Sequence, residues 1–328
     1  MAIQNISLIK RLAASWSGGV VAAVDAKDSI HIWNVESFTK IGEVFTFPKA
    51  PDVRLALSQD GALLFAGSWY AGGAMAYGVF QGREMWRRKD LRRFHGLCAV
   101  GPSAHLYCWC DGKATLRLDP ASGQTVERLP GAGEVYSSPL QNLILLAGRK
   151  LQFGSESALD RFQAARTTFA VLDVAFGPEC LAVSESNGPV RCFSIKTGAE
   201  LWRHTPPAGN HLIHLSYCAP LDLFVGVDWA YQAGGEYHLI HLSRASGAIS
   251  RISDLVSARD IAFCRSGLTL INSEGDVIDA ASGRAIRRLD FPREHFDEPE
   301  FPSREERMRS GTKEQRELAR LLGPPDPL

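Results

Sequence analysis

The stretch SQDGALLFAGS, Ser58–Ser68, holds the pattern from which the rest of the chain can be parsed. A polar turn closes on Gly61, and a short apolar run follows and stops at Gly67-Ser68. RLALS, Arg54–Ser58, stands just upstream. Two short apolar segments around a glycine turn read as paired antiparallel strands. The apolar run recurs. VVAAVD begins at Val20, AHLYCWC at Ala104, NLILLAG at Asn142, ECLAVSE at Glu179, DLFVGVD at Asp222 and GLTLINS at Gly267. With ALLFAG at Ala62 there are seven, their starts 42, 42, 38, 37, 43 and 45 residues apart. The upstream companion recurs too, as GLCAV (Gly96–Val100), LDVAF (Leu172–Phe176) and DIAFC (Asp260–Cys264).

Downstream of most runs comes another strand, a glycine turn and a last strand. The turns are QGREM (Gly82), PASGQ (Gly123), KTGAE (Gly198), ASGAI (Gly247) and ASGRA (Gly283). Glycine supplies the positive φ that such turns need. Four strands per ~40 residues, repeated seven times, is the pattern of a propeller. The chain is therefore expected to be all-β, a seven-bladed β-propeller of four-stranded antiparallel blades over residues 1–290. The fourth unit, Gly133–Phe169, is degenerate, and an outer strand is expected to be missing there if anywhere.

SQDGALLFAGS resembles the first half of a WD-repeat, and SIHIWN, Ser29–Asn34, its later strand, with Asn34 where that family usually has Asp. QGREMW (Gln81–Trp86) and KTGAELW (Lys196–Trp202) resemble the turn-and-tryptophan motif of quinoprotein-like propellers. The resemblance covers roughly residues 11–291, lacks the Gly-His dipeptide of a full WD-repeat, and implies a fold rather than a function. Quinoprotein enzymes need an export signal and a calcium site. Neither is visible, so Trp86 and Trp202 are expected to brace neighbouring blades.

Composition narrows the functional classes. Hydrophobic residues make up 45% of the 328, charged residues 22%, and the formal net charge is zero. Nothing global draws the chain to nucleic acid or an anionic membrane. The N-terminal residues lack a secretory pattern, and the seven cysteines are odd in number and scattered, so a cytoplasmic protein with reduced thiols is expected. Residues 291–328 read as an acidic, Pro/Phe-containing tail with one or two short helices, opened by capping boxes at Ser303 and Thr312. Its Glu294–Glu300 segment, anchored by Phe296, is expected to dock on the propeller.

No catalytic constellation emerges: there is no nucleophile elbow, zincin helix, phosphate loop or CxxC. An enzyme is not expected, and no cofactor or metal is. The two copies of HLIHLS, His211–Ser216 and His238–Ser243, suggest a metal, but strand alternation would send His211 and His214 to opposite faces. Cys108 and Cys110 read as buried apolar packing.

Two loops stand out. SWYAGGAMAY (Ser68–Tyr77) and DWAYQAGGEY (Asp228–Tyr237) follow the second strand of two different blades, and each carries Trp, Tyr and Gly-Gly. Equivalent loops open on one face of a propeller, so Trp69, Tyr70, Trp229 and Tyr231 are candidate partner-binding residues. The basic connection Arg83–His95 opens on the same face and adds Arg87, Arg88, Arg92 and Arg93. The leading expectation is a non-catalytic protein–protein interaction scaffold, in a concrete version a bacterial inhibitor or immunity-type protein, whose partner is another protein and which needs no small molecule. The alternative is a ligand-binding or enzymatic propeller using its central channel, which requires polar side chains converging from the inner strands; Asp173 and Asp260 are the visible ones. Nucleic-acid binding through the arginines is a third, weaker reading.

Overall fold

The computed structural model describes residues 4–7, 9–45, 53–68, 73–91, 94–100, 105–110, 115–129, 133–147, 151–155, 163–165, 167, 169–186, 188–230, 236–255 and 260–296. They fall into two units. The larger, residues 8–292, contains seven four-stranded antiparallel sheets, each built from four consecutive strands. The blades span residues 11–45, 53–88, 94–128, 134–165, 171–204, 210–255 and 261–288. The smaller unit holds a two-stranded pairing of Gln4–Ser7 with Arg293–Phe296, Gln4 opposite Phe296. The expected tail helices, and most of the segment expected to dock, lie outside the described residues.

The seven apolar runs become the second strands: Val20–Val24, Leu63–Ser68, His105–Cys110, Leu143–Ala147, Cys180–Glu185, Leu223–Ala230 and Thr269–Asn272. Their upstream companions become the inner strands. The fourth blade, the one most degenerate in sequence, is complete, as four-stranded blades throughout require. Its outer strand, Gln163–Ala165, is three residues long and pairs Leu151 with Ala165. The sequence signal was weak because only three residues carry the strand.

The core is a set of seams between blades. Val20, Ala22 and Val24 of blade 1 pack with Leu64 and Ala66 of blade 2, while Val21 and Ala23 face Ile271 and Val277 of blade 7. Phe65 faces Leu106 and Cys108 of blade 3. Similar clusters join blades 3 to 4, 4 to 5, 5 to 6 and 6 to 7. A strand buried on both faces needs no polar alternation, and so these runs are continuously apolar. The seam between blades 7 and 1 closes the ring without strand exchange, because all four strands of each blade are sequential.

The tryptophans brace blades as expected. Trp86 Nε1 donates to the Pro120 carbonyl at 2.7 Å, and Trp202 Nε1 to the Arg244 carbonyl at 2.8 Å, each reaching the third-to-outer turn of the next blade. Each indole also lies against that turn's glycine. A Cβ on Gly123 would sit 2.6 Å from Trp86, and one on Gly247 would sit 2.4 Å from Trp202. Both glycines have positive φ, +70° and +67°.

Gly82 isolates the two demands, since its φ is +65° but its nearest neighbour is the Tyr77 hydroxyl at 3.9 Å. Gly82→Ala should therefore cost about 1 kcal/mol, from conformation alone. Gly247→Ala should cost a further ~1–3 kcal/mol from the clash with Trp202. Denaturant unfolding of both variants checks this; equal losses would show that the indole does not press on the turn.

Candidate functional site

Blade 6 departs from the others. Its first three strands, Asn210–Cys218, Leu223–Ala230 and Glu236–Ser243, run nine, eight and eight residues, against at most seven elsewhere among the described strands. The extra length lies where the inner strand begins, with Asn210 opposite Ala230 and Ala230 opposite Glu236. Trp229 stands on this extension, half-buried, stacked on Tyr237 (6.3 Å between rings, 11° between planes) and beside His211 at 6.3 Å.

Of the other candidate residues, Trp69, Tyr70, Tyr231, Arg92 and Arg93 lie outside the described residues. The two stretches that hold the aromatics do connect second to third strands, in blades 2 and 6. Arg87 and Arg88 are engaged within the fold. Arg87 makes three hydrogen bonds to the Glu84 carboxylate, the shortest 2.6 Å. Arg88 grips Asp90 and donates to the Gly123 carbonyl at 2.7 Å, which adds a bridge beside the Trp86 brace.

The paired HLIHLS motifs both lie in blade 6, on its inner and third strands. The alternation argument about them needs correcting. A β-bulge between Leu212 and His214 puts His211 opposite Trp229 and His214 opposite Val227, so the two imidazoles share a face. Among the described residues no group of three His, Cys, Asp or Glu is placed to hold a metal ion.

The inner strands bring together what the sequence had left scattered. Arg11, Arg54, His95, Glu134, Asp173, His214 and Asp260 stand at or next to the inner strands of blades 1 to 7, one per blade. Their spacings, 43, 41, 39, 39, 41 and 46, follow the repeat. They feel one another's charge around the axis: Glu134 with Arg54 and His95, Asp173 with Glu134, Asp260 with Arg11 and Arg54, and His214 with Arg11. The period was the signal that could have revealed them, but the residue types differ from blade to blade.

Burial governs this ring. It raises Asp173 to about 7, offset by hydrogen bonds from the Leu215 and Val174 amides, and Asp260 to about 6. It also pushes His214 down to about 4. Two of the acids tie neighbouring blades. Asp173 Oδ2 accepts the Leu215 N–H at 2.8 Å, and Asp260 Oδ2 accepts the Leu12 N–H. Further along the axis a cavity of about 200 Å³ is lined by Ala14, Leu57, Ala99, Ser137, Val174 and Leu215, among others.

A larger cavity, about 470 Å³, separates blades 5 and 6 on the other side of blade 6 from the Trp229 stack. Val190, His204, Pro206 and Pro207 form one wall, and Leu212, Asp228, His238 and Ile240 form the other.

Comparison with known proteins supports the fold and goes no further. No protein-family model and no curated protein matches the sequence. Solved structures do match in shape. That titled "Structure of U3-55K" aligns with TM-score 0.66 at 14% identity over 90% of this chain and 95% of its own. A chain in the crystal structure of the mitotic checkpoint complex aligns with TM-score 0.66 at 16% identity, covering 85% and 86%. The dihydro-heme d1 dehydrogenase NirN, solved in complex with DHE, aligns with TM-score 0.60 at 16% identity, covering 86% and 66%. The chain has the seven-bladed β-propeller fold that these solved structures share.

The raised acids predict a signed pH effect. Asp173 is protonated in the folded protein at pH values where the unfolded chain has ionised it. Its contribution therefore favours folding at low pH and is lost as pH rises from about 4, the free carboxylate value, to about 7. Measured against Asp173→Asn, which removes this titration, wild-type stability should decline across that window and level off above it. A difference that stays flat with pH would show that Asp173 ionises normally.

Proposed function

We propose that this protein is a non-catalytic scaffold, working in the cytoplasm, that binds another protein on the face where the inner strands begin. The observation that carries the reading is the elongated blade 6, which carries Trp229 with Tyr237 and His211 on strands longer than any others among the described residues. A stacked, half-buried aromatic set is rigid before binding, so little side-chain entropy is lost on contact, and Trp and Tyr are the commonest interface anchors. Trp69, Tyr70 and Tyr231 belong to the same proposed face, with Arg92 and Arg93 at its rim. Arg87 and Arg88 already serve the fold, which weakens their part in partner binding and the nucleic-acid reading through the arginines. Two of the inner-strand acids are spent on backbone amides of neighbouring blades, and this favours a structural use of the axial ring over a catalytic one.

The rival reading places a small ligand in the axial channel. The convergence of seven ionisable side chains and the adjoining cavity favour it.

Capture from native cells, with partners quantified by mass spectrometry, separates the two. Trp229→Ala should lower recovery of a specific protein partner about 30-fold or more, the loss expected from removing a central aromatic anchor, without lowering the melting temperature. Unchanged recovery with a folded variant would overturn the blade 6 reading. A small molecule that copurifies with wild type and is lost in Arg54→Ala would favour the channel.

A further inference from the structure

We propose that the cleft between blades 5 and 6 is a receptor for an alkylammonium group, and that its occupant is a lysine side chain of the partner protein. The inference rests on the scaffold reading above and gives its partner a chemical feature. Leu212, Asp228, His238 and Asp254 are direct cross-strand neighbours in one row across blade 6, and three of them line the cleft. Asp228 is the informative member. Its Oδ2 accepts a hydrogen bond from Asn210 Nδ2 at 2.7 Å, which fixes the carboxylate. Its Oδ1 is shielded from water and accepts no hydrogen bond from the described residues. A buried acceptor left without a donor is costly, and a ligand N–H would relieve that cost.

The surroundings select a cation. His204 faces the cleft from blade 5, where burial holds its ring below the ordinary histidine value against the pull of Asp228, so it brings little competing positive charge. His238 is committed through Nδ1 to Asp254 Oδ1 at 3.0 Å, and that carboxylate is 76% exposed, a second negative group near the cleft. The walls are apolar: Val190, Leu212, Ile240, Pro206 and Pro207 suit a methylene stem. One unpartnered oxygen matches a point-charge ammonium. A guanidinium would seek both oxygens, and Asn210 already holds one. The volume of about 470 Å³ is within the usual range for ligand pockets.

The probe is Nα-acetyl-lysine methylamide, with its ε-acetylated form and the norleucine analogue as controls, followed by histidine-ring NMR on the full chain. The amine should shift the His204 and His238 signals saturably at millimolar concentration, and both controls should leave them in place. Bound ammonium neutralises Asp228, so the His204 titration midpoint should fall further on binding. Asp228→Asn should weaken binding at least tenfold. Absence of saturable shifts, equal shifts with the ε-acetylated form, or undiminished binding by a folded Asp228→Asn would overturn the proposal. If Asp228→Asn does not fold, the ε-acetylated control decides alone. The scaffold reading fails separately. A bound probe with Trp229→Ala harmless to partner capture leaves an amine site without that face, and an unbound probe with Trp229→Ala harmful leaves the face without the amine site.

Discussion

A four-stranded sheet whose second strand reads VVAAV is apolar on both faces and can be buried only between two others. Every blade here has that need, so each core cluster is shared: Val20 and Ala22 belong to the seam with blade 2, and Val21 and Ala23 to the seam with blade 7. The ring must close or two faces stay wet. Closure is lateral. Trp33 of blade 1 packs on Phe291 with ring centroids 4.6 Å apart, within a cluster that also takes Cys264, Ile271 and Val277 from blade 7. The Ser266 amide donates to the Trp16 carbonyl at 2.9 Å, and Asp260 receives the Leu12 N–H.

The closing seam also changes the perimeter brace. Trp86 and Trp202 each lie four residues beyond a turn glycine and lean on the glycine of the next blade. The same position in blade 7 is Arg287, and the turn it reaches in blade 1 has Phe38 in place of glycine, at φ +58°. The guanidinium sits 4.6 Å above the Phe38 ring. Indole on glycine has become cation on arene, which joins first blade to last by a contact used nowhere else among the described braces.

The blades were legible because burial on both faces writes itself as a continuous apolar run, and because glycine holds most of the left-handed turn positions among the described residues. The outer strand of blade 4 was hard to see, since three residues with no glycine turn leave no such mark. The tryptophan braces were legible from their spacing to Gly82 and Gly198. The face of His214 was misread because a β-bulge shifts alternation and has no sequence signature of its own. The axial ring was missed for a different reason. Arg11, Glu134 and Asp260 share a level only after the strands are stacked, and mixed residue types hide a common period. The cleft is harder still, because Val190, His204 and Asp228 meet through the packing of two blades.

The proposed function rests on one asymmetry. Among the described strands the other blades reach at most seven residues, and blade 6, residues 210–255, exceeds that with an aromatic stack on one side and the Asp228-containing, apolar-walled cleft on the other. Hydrogen exchange of the protein alone and bound to its captured partner tests this most directly. The account predicts that new amide protection concentrates in residues 210–214, 227–230 and 236–239, with the outer strands of blades 1 to 4 unchanged. Protection spread over those outer strands, with blade 6 untouched, would contradict it.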